Sequence, residues 1–373
     1  MIEGWKYIKL TDVVSFVGDG DWIESRHQSN EGIRLIQTGN IGNGYFKAKE
    51  DKPHYISERT FHELGCTEVF PGDCLVSRLP DPVGRACLVP DIGNRMITAV
   101  DCTILRFKDL ILPAFFVYYS RSRQYEHSIG NNTTGTTRKR ISRKNLETIS
   151  IPLPAQDVQK QIVAELDLLS GILDKQNTQL KELDTLAQSI FYDMFGNPVE
   201  NDRGWTTCVL GKICGLKAGK SIKASELSDE PQKGLYPCYG GNGVRGYIRK
   251  KSHSGCFPII GRQGALCGNV NLASGDFYAT EHAVVCTPSK ELDPVFLFYL
   301  LTEMNLNQYA KGVAQPGLAV GNITPLPIIV PELHHQQSFA AEIEAIEHQK
   351  TMINQAILET QKLFDYTMDK YFG

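Results

Sequence analysis

The sequence lacks the long apolar runs that mark membrane proteins. Nowhere in its 373 residues do about 18 uncharged apolar residues stand together, and the N-terminal MIEGWKYIKL has no basic segment followed by an apolar one. These absences predict a soluble, cytoplasmic protein with no membrane partner. The length exceeds that of a usual single domain, so two or more domains are expected.

Paired cysteines are also lacking. Ten cysteines are present, but no two form a CxxC pair. Scattered cysteines in a chain of this kind predict reduced, mostly buried thiols. The spacings Cys208/Cys214 and Cys256/Cys267, even beside His253 or His282, match no familiar zinc pattern. No metal site is expected.

Catalytic motifs are the third absence. The chain has no GxxxxGK[ST], HExxH or GxSxG sequence, and no GxGxxG at a predicted strand-to-helix turn. Its nearest approach to the Asn/Asp-Pro-Pro-aromatic motif of amino-methyltransferases is the tetrapeptide at 81–84. Glu281 and His282 could form an acid–base pair, but adjacent strand residues point to opposite faces, which favours a structural role. The sequence therefore predicts no catalytic site.

What the chain does have is an internal repeat. Residues 5–10 match 205–210 at an offset of 200, Arg78 and Gly84 match Arg262 and Gly268 at 184, and 113–118 match 294–299 at 181. From residue 135 onward the offset settles at 177. Each copy is thus one globular region followed by one helical segment.

The helical segments carry apolar residues at alternating steps of four and three, the pattern of a coiled-coil seam. Pro154 precedes the first segment and Gly196-Asn197-Pro198 follows it, which leaves about 40 residues, or roughly 60 Å of helix. The predicted seam of the helix pair consists of Ile162, Leu166, Leu169, Leu173, Leu180, Leu183, Ile190, Phe339, Ile343, Ile346, Ile353, Ile357 and Phe364.

The globular regions combine short β-branched runs, such as 32–36 and 100–107, with proline-initiated helices at 113–119 and 294–301. The predicted fold is a tandem α/β (α+β) repeat, with two globular domains joined by two long antiparallel coiled-coil helices about a pseudo-two-fold axis. The predicted segments are a first domain at 1–154, a helix at 155–196, a linker at 197–204, a second domain at 205–331 and a helix at 332–373. A helix that merely packs on its own domain is the alternative.

Charge is unevenly distributed along the chain. Each helical segment has seven acids against three lysines, so the two together carry −8 and the remainder +5 of the total of −3. The strongest basic feature is 138–144, with five positive charges in seven residues after the amide- and hydroxyl-rich 131–137. Such a loop suits phosphate and base contacts, but a solvated surface loop explains it equally well.

The second copy has no charge in the matching stretch 315–321. Its basic residues lie elsewhere, and Arg78 and Arg262 are favoured because each stands six residues before a matched glycine. The predicted DNA-contact residues are Arg78, Arg85, Arg138, Lys139, Arg140, Arg143, Lys144, Lys220, Arg245, Arg249, Arg262 and Gln263.

Three stretches resemble the specificity subunits of type I restriction-modification systems. They are 149–154 with Gln159, 194–199 with Asn201 and Gly204-Trp205, and 327–331 with Gln336. The resemblance covers essentially the whole chain. It implies that each globular region is a target-recognition domain that reads one half of a bipartite, asymmetric site in double-stranded DNA.

The same resemblance implies that the helices set the spacing between half-sites and dock two modification (methyltransferase) subunits, which restriction (motor and nuclease) subunits join. S-adenosylmethionine, ATP and magnesium would then belong to those partners, and this chain would be non-catalytic and hold no cofactor. Two other interpretations stay open: a coiled-coil scaffold joining two modules that do not bind DNA, and a stand-alone DNA-modifying enzyme with a degenerate site.

Overall fold

A computed structural model describes residues 5–135, 138–264, 266–311 and 317–373. The chain forms two compact units, which divide within the two long helices: the first unit comprises residues 1–175 and 356–373, and the second comprises 176–355. The domain boundaries predicted from the sequence stay a prediction. Within the described ranges, no helix combines the length and apolar character needed to span a membrane.

The first unit is built on a four-stranded antiparallel sheet of order β2-β10-β7-β8, beside a five-stranded sheet of order β3-β5-β4-β9-β6. The pairs β1-β13 and β11-β12 complete it. Its strands are β1 (Lys6–Lys9), β2 (Val14–Asp19), β3 (Gln28–Ser29), β4 (Ile33–Ile36), β5 (Tyr55–Ile56), β6 (Glu68–Val69), β7 (Cys74–Ser77), β8 (Ala86–Leu88), β9 (Met96–Thr98), β10 (Cys102–Phe107), β11 (Thr133–Thr134), β12 (Arg140–Ile141) and β13 (Ser150–Leu153). Its short helices are α1 (Leu10–Val13), α2 (Glu58–Leu64), α3 (Pro113–Tyr119), α4 (Arg123–Asn131) and α5 (Arg143–Glu147).

The long helix α6 (Gln156–Phe195) begins in the first unit and ends in the second. The second unit repeats the main sheet as β15-β22-β19-β20, with a four-stranded sheet β17-β16-β21-β18 and the pair β14-β23. Its strands are β14 (Thr207–Val209), β15 (Cys214–Ala218), β16 (Tyr236–Gly240), β17 (Gly243–Ile248), β18 (His253–Ser254), β19 (Phe257–Gly261), β20 (Val270–Ala273), β21 (Asp276–Ala279), β22 (Ala283–Pro288) and β23 (Pro327–Ile329). Its helices are α7 (Leu210–Ile213), α8 (Pro294–Glu303), α9 (Val320–Ile323) and the first part of α10 (Leu333–Phe372).

The repeat predicted from the sequence is confirmed by this matching strand order. The predicted proline-initiated helices are confirmed as α3 and α8, where the missing amide hydrogen of proline costs nothing in the first turn. In the first unit, Phe115 and Phe116 of α3 are fully buried in the core that also holds Ile162 and Leu166 of α6. Helix α3 therefore links the main sheet to the long helices.

The two long helices run in opposite directions within each unit, as predicted. In the first unit the Tyr371 hydroxyl donates to the Glu165 carboxylate at 2.8 Å, so the end of α10 lies beside the start of α6. In the second unit the ring centroid of Phe339 lies 5.5 Å from that of Phe195, which places the start of α10 beside the end of α6. Further along, Lys350 Nζ lies 2.7 Å from Asp184 Oδ1, as antiparallel helices require.

Every predicted seam residue is buried or half-buried. Burial is deepest where the helices also contact a globular core, as at Ile162, Leu166 and Phe339, which are all 0% exposed. The half-buried members are Leu173, Leu180, Leu183, Ile190, Ile353 and Ile357. The prediction left out Phe191 and Phe195, which are also 0% exposed and pack on the second core.

A buried glutamine joins each long helix to its globular core. The Gln159 side chain accepts a hydrogen bond from the Leu112 amide at 2.8 Å and donates to the carbonyls of Leu110 and Pro154. Gln336 makes the same three bonds, to Asp293, Glu291 and Pro331. Because buried backbone groups left unpaired are costly, the side-chain amide, which both accepts and donates, favours glutamine at both positions.

Candidate nucleic-acid interface

The basic run of the first unit lies on the short β11–β12 hairpin and on helix α5. Buried Ile141 anchors the hairpin, and the Ser142 hydroxyl caps α5 by accepting a hydrogen bond from the Asn145 amide at 3.1 Å. The preceding threonines at 136 and 137 lie outside the described residues. This local structure leaves all five cations of 138–144 at the surface.

Two of these five cations are paired with carboxylates of their own unit. Arg140 Nη2 lies 2.8 Å from Asp101 Oδ1, so the two side chains form an ion pair. Arg143 is shared between Glu147 at 3.1 Å and Asp19 at 3.6 Å. The other three cations, Arg138, Lys139 and Lys144, have no ion pair within the part of the chain that the structure describes.

Arg78 and Arg85 are inside the first unit, only 5% and 8% exposed. The Arg78 guanidinium donates to the Val100 carbonyl and lies 3.4 Å from Asp19; burial lowers its pKa, an effect that Asp19 opposes. Arg85 donates to four backbone carbonyls, those of Thr38, Ile41, Leu79 and Pro82. These partners argue for a structural role for both residues in place of the predicted DNA contact.

In the second unit the candidates are spread over several elements. Lys220, Arg245, Arg249 and Gln263 are exposed, on or beside β15, β17 and β19. Arg262 is partly buried; its Nη1 donates to the Glu281 carbonyl at a long 3.5 Å, and its Nε has no hydrogen-bond partner among the described atoms. The Nε of Arg78 also lacks a partner among the described atoms, but Arg78 lies 3.4 Å from Asp19 and Arg262 has no ion pair in the described ranges, so Arg262 is held less tightly than Arg78.

Matching hydrogen bonds show that Arg78 and Arg262 occupy equivalent places. The Arg78 amide donates to the Asp101 carbonyl, and its own carbonyl accepts from Ile141. The Arg262 amide donates to the His282 carbonyl, and its carbonyl accepts from Leu318. Gly84 and Gly268 are equivalent in the same way, because the amide of each donates to the carbonyl of the residue before the arginine, Ser77 or Gly261. The repeat alignment at these positions is therefore confirmed.

The remaining reactive side chains form no evident catalytic or metal centre in the described ranges. Eight of the ten cysteines are buried, as predicted, and burial raises the pKa of Cys66 to about 11 and of Cys102 to about 12. His282 Nε2 lies 3.4 Å from Glu281 Oε1. The expectation that these two face opposite ways is wrong, because they stand in a turn before β22 rather than in a strand. No group of three potential metal ligands occurs among the described residues.

Comparison with known proteins is consistent with this arrangement of two similar units. The family model for the type I restriction modification DNA specificity domain matches residues 2–185 and again residues 202–361. The chain belongs to this family. Over 295 residues, this specificity subunit is 34% identical to the EcoprrI specificity subunit of Escherichia coli, an alignment covering 75% of this chain and 72% of that protein.

Two further relatives extend the comparison. The MjaVIII specificity subunit of Methanocaldococcus jannaschii is 23% identical over 293 residues, 69% of each chain. The crystal structure of a type I system S subunit from M. genitalium superposes with a TM-score of 0.64 at 15% identity, over 99% of this chain and 96% of that one. The latter likeness shows the fold. The two globular regions of the specificity subunit are its tandem target-recognition domains.

Sequence reasoning missed the carboxylates that face the basic run, Asp19, Asp101 and Glu147. Asp19 ends β2 and Asp101 lies in the turn before β10, far from 138–144 in the sequence, so no local pattern marks them. Glu147 stands four residues after Arg143 on α5, a spacing that the sequence does show. The available signal was the repeat itself, because each acid has a counterpart of another type in the second copy.

Proposed function

We propose that this specificity subunit directs modification and restriction subunits to one bipartite, asymmetric DNA sequence. The observation that carries the proposal is the contrast between two target-recognition domains with one framework. They share the strand order of the main sheet but differ in the loops around it, with a basic run at 138–144 and a counterpart that includes Gly317 and Val320. Two unlike readers specify a target that is not palindromic.

In the first domain, Arg138, Lys139 and Lys144 are the proposed phosphate contacts because they are exposed and lack ion-pair partners among the described residues. In the second domain, Lys220, Arg245 and Arg249 have the same role. Gln263 is the proposed base contact there, since an exposed amide can bond adenine bidentately.

The long helices have the proposed roles of spacer and docking surface. Their net negative charge disfavours phosphate, and several large apolar side chains on them face solvent. Burial of such side chains against protein is favourable, so the modification subunits are the proposed partners of this surface. The most exposed are Leu168, Met352, Leu358, Leu363 and Tyr366.

Catalysis belongs, in this proposal, to the partner subunits. The modification subunits would bind S-adenosylmethionine and methylate adenine, and the restriction subunits would use ATP and magnesium. The specificity subunit itself contributes recognition alone and works in the cytoplasm, where the DNA is.

The test is co-expression of the chain with its modification subunit, followed by single-molecule mapping of methylated adenine in host DNA. We expect methylation of one asymmetric bipartite motif that disappears when the chain is omitted. An unchanged pattern of methylation would favour the scaffold interpretation. S-adenosylmethionine-dependent or metal-dependent activity from the chain alone would favour the enzyme interpretation.

The proposed phosphate contacts give a second expectation. Substitution of Arg138, Lys139 and Lys144 by alanine should weaken DNA binding and reduce the slope of log Kd against log salt by about 0.9 for each lost contact, roughly 2.7 in all. Fluorescence anisotropy with a labelled duplex, at several salt concentrations, measures the slope. The matched control replaces Lys6, Lys9 and Lys108, which are exposed lysines of β1 or the residue after β10. An equal change in both variants would assign the effect to net charge.

A further inference from the structure

The basic run faces carboxylates that offset much of its charge. Asp19, Asp101 and Glu147 are each about a quarter exposed, whereas the side chains of Arg140 and Arg143 are 46% and 45% exposed. Ion pairs at this exposure are weak and exchange partners readily, because water screens them. Both arginines can therefore leave their carboxylates for another anion.

The second unit has other residue types at the positions equivalent to these three acids. The register of β2 with β10, and of β15 with β22, makes Ala218 the equivalent of Asp19. The hydrogen bonds of the two equivalent arginines make His282 the counterpart of Asp101, and the offset of 177 makes Thr324 that of Glu147. All three acids are absent from the second unit.

The two exposed arginines are absent as well. Gly317 replaces Arg140 and Val320 replaces Arg143, at the same offset of 177. The buried arginine, by contrast, is kept as Arg262 although no acid stands at 218 or 282. Asp101 and Glu147 therefore accompany the exposed arginines, whereas Asp19 is shared between the exposed Arg143 at 3.6 Å and the buried Arg78 at 3.4 Å.

We propose that Asp19, Asp101 and Glu147 compete with DNA phosphates for Arg140 and Arg143, and so restrain binding of the first domain to non-specific DNA. The inference rests on the proposed DNA-recognition function. Phosphate contacts supply most non-specific affinity, so a carboxylate that occupies an arginine lowers it. At the correct half-site, base contacts supply the additional free energy that displaces the carboxylates.

The test uses the complex of the chain with its modification subunits and a fluorescently labelled 30-base-pair duplex that lacks the methylated motif. We expect Asp101→Asn and Glu147→Gln each to bind this duplex roughly three- to tenfold more tightly, with the salt slope steeper by about 0.9. Glu147 lies on α5, one turn after Arg143, and Asp101 lies in a separate turn, so Glu147→Gln reports on the inference even if Asp101→Asn lowers stability.

Two controls separate competition from a general change in charge. Glu58→Gln removes an acid of the same unit that lies 2.7 Å from Arg95 and forms no ion pair with the basic run among the described residues, so it should leave the slope unchanged. In an Arg140→Ala background, Asp101→Asn should have no further effect on binding, because its proposed partner is gone.

Weaker or unchanged binding by both acid variants would show that the carboxylates only position the loop, and the inference would be wrong. A tightening equal to that of Glu58→Gln would also overturn it. In either case the wild-type complex would still methylate its motif. If the wild-type complex neither methylates a motif nor binds DNA, the proposed function itself fails.

Discussion

Deletion of one heptad from the middle of each long helix, residues 174–180 together with 355–361, is expected to shorten the recognised DNA spacer by about three base pairs. Seven residues of helix span about 10 Å, and one base pair rises 3.4 Å. The half-sites should not change, since the deleted residues belong to neither target-recognition domain. Single-molecule mapping of methylated adenine measures both quantities in one experiment.

A heptad is the appropriate unit because it restores the apolar stripe to within about 20°. The matched control replaces the same residues by other heptads of equal length with an apolar residue at each seam position, and it should keep the original spacer. Altered half-sites, or an unchanged spacer with full methylation, would show that the helices do not set the spacing.

Phe195→Ala is expected to destabilise the second unit by about 3–5 kcal/mol. The side chain is 0% exposed, and its ring lies 4.8 Å from that of Phe296 in α8 and 5.5 Å from that of Phe339 in α10, measured between centroids. Removal of the ring leaves a cavity where both long helices meet the globular core. Hydrogen exchange of amides in α8 and β19 measures the loss, because these elements open with the unit.

Leu186→Ala is the matched control for this variant. Leu186 lies on the same helix in the same unit but is 47% exposed, so its loss should change stability by no more than about 0.5 kcal/mol. Comparable effects from both variants would mean that helix propensity, and not packing of the aromatic cluster, determines the stability of this region.

The long helices could be predicted from the sequence because their signal is local and repeated. Alternating steps of four and three identify the buried stripe, and a proline or glycine marks each end. Phe191 and Phe195 escaped this pattern because they contact two surfaces at once, Phe339 of the opposite helix and Phe296 of the globular core. A stripe that touches two surfaces is wider than a coiled-coil seam.

The arginines show where local reasoning fails. The Arg85 guanidinium donates hydrogen bonds to carbonyls within 38–41 and 79–82, and the Arg78 guanidinium donates to the carbonyl of residue 100. Nothing near either arginine in the sequence distinguishes it from a surface cation. The order of the strands was equally hidden, because short strands with mostly buried residues, such as Cys74–Ser77, carry no alternation that marks a face.

The rate at which the buried cysteines react with an alkylating reagent measures how often each unit opens. Alkylating reagents attack the thiolate, and burial raises the pKa of Cys87 and Cys102 to about 12, so both thiols stay protonated at neutral pH in addition to being shielded by the fold. Modification must then await opening of the unit. The first unit holds four buried cysteines, Cys66, Cys74, Cys87 and Cys102, and the second another four, Cys214, Cys238, Cys267 and Cys286. Pulse alkylation followed by mass spectrometry of peptides would thus measure the opening rate of each unit separately, with and without DNA.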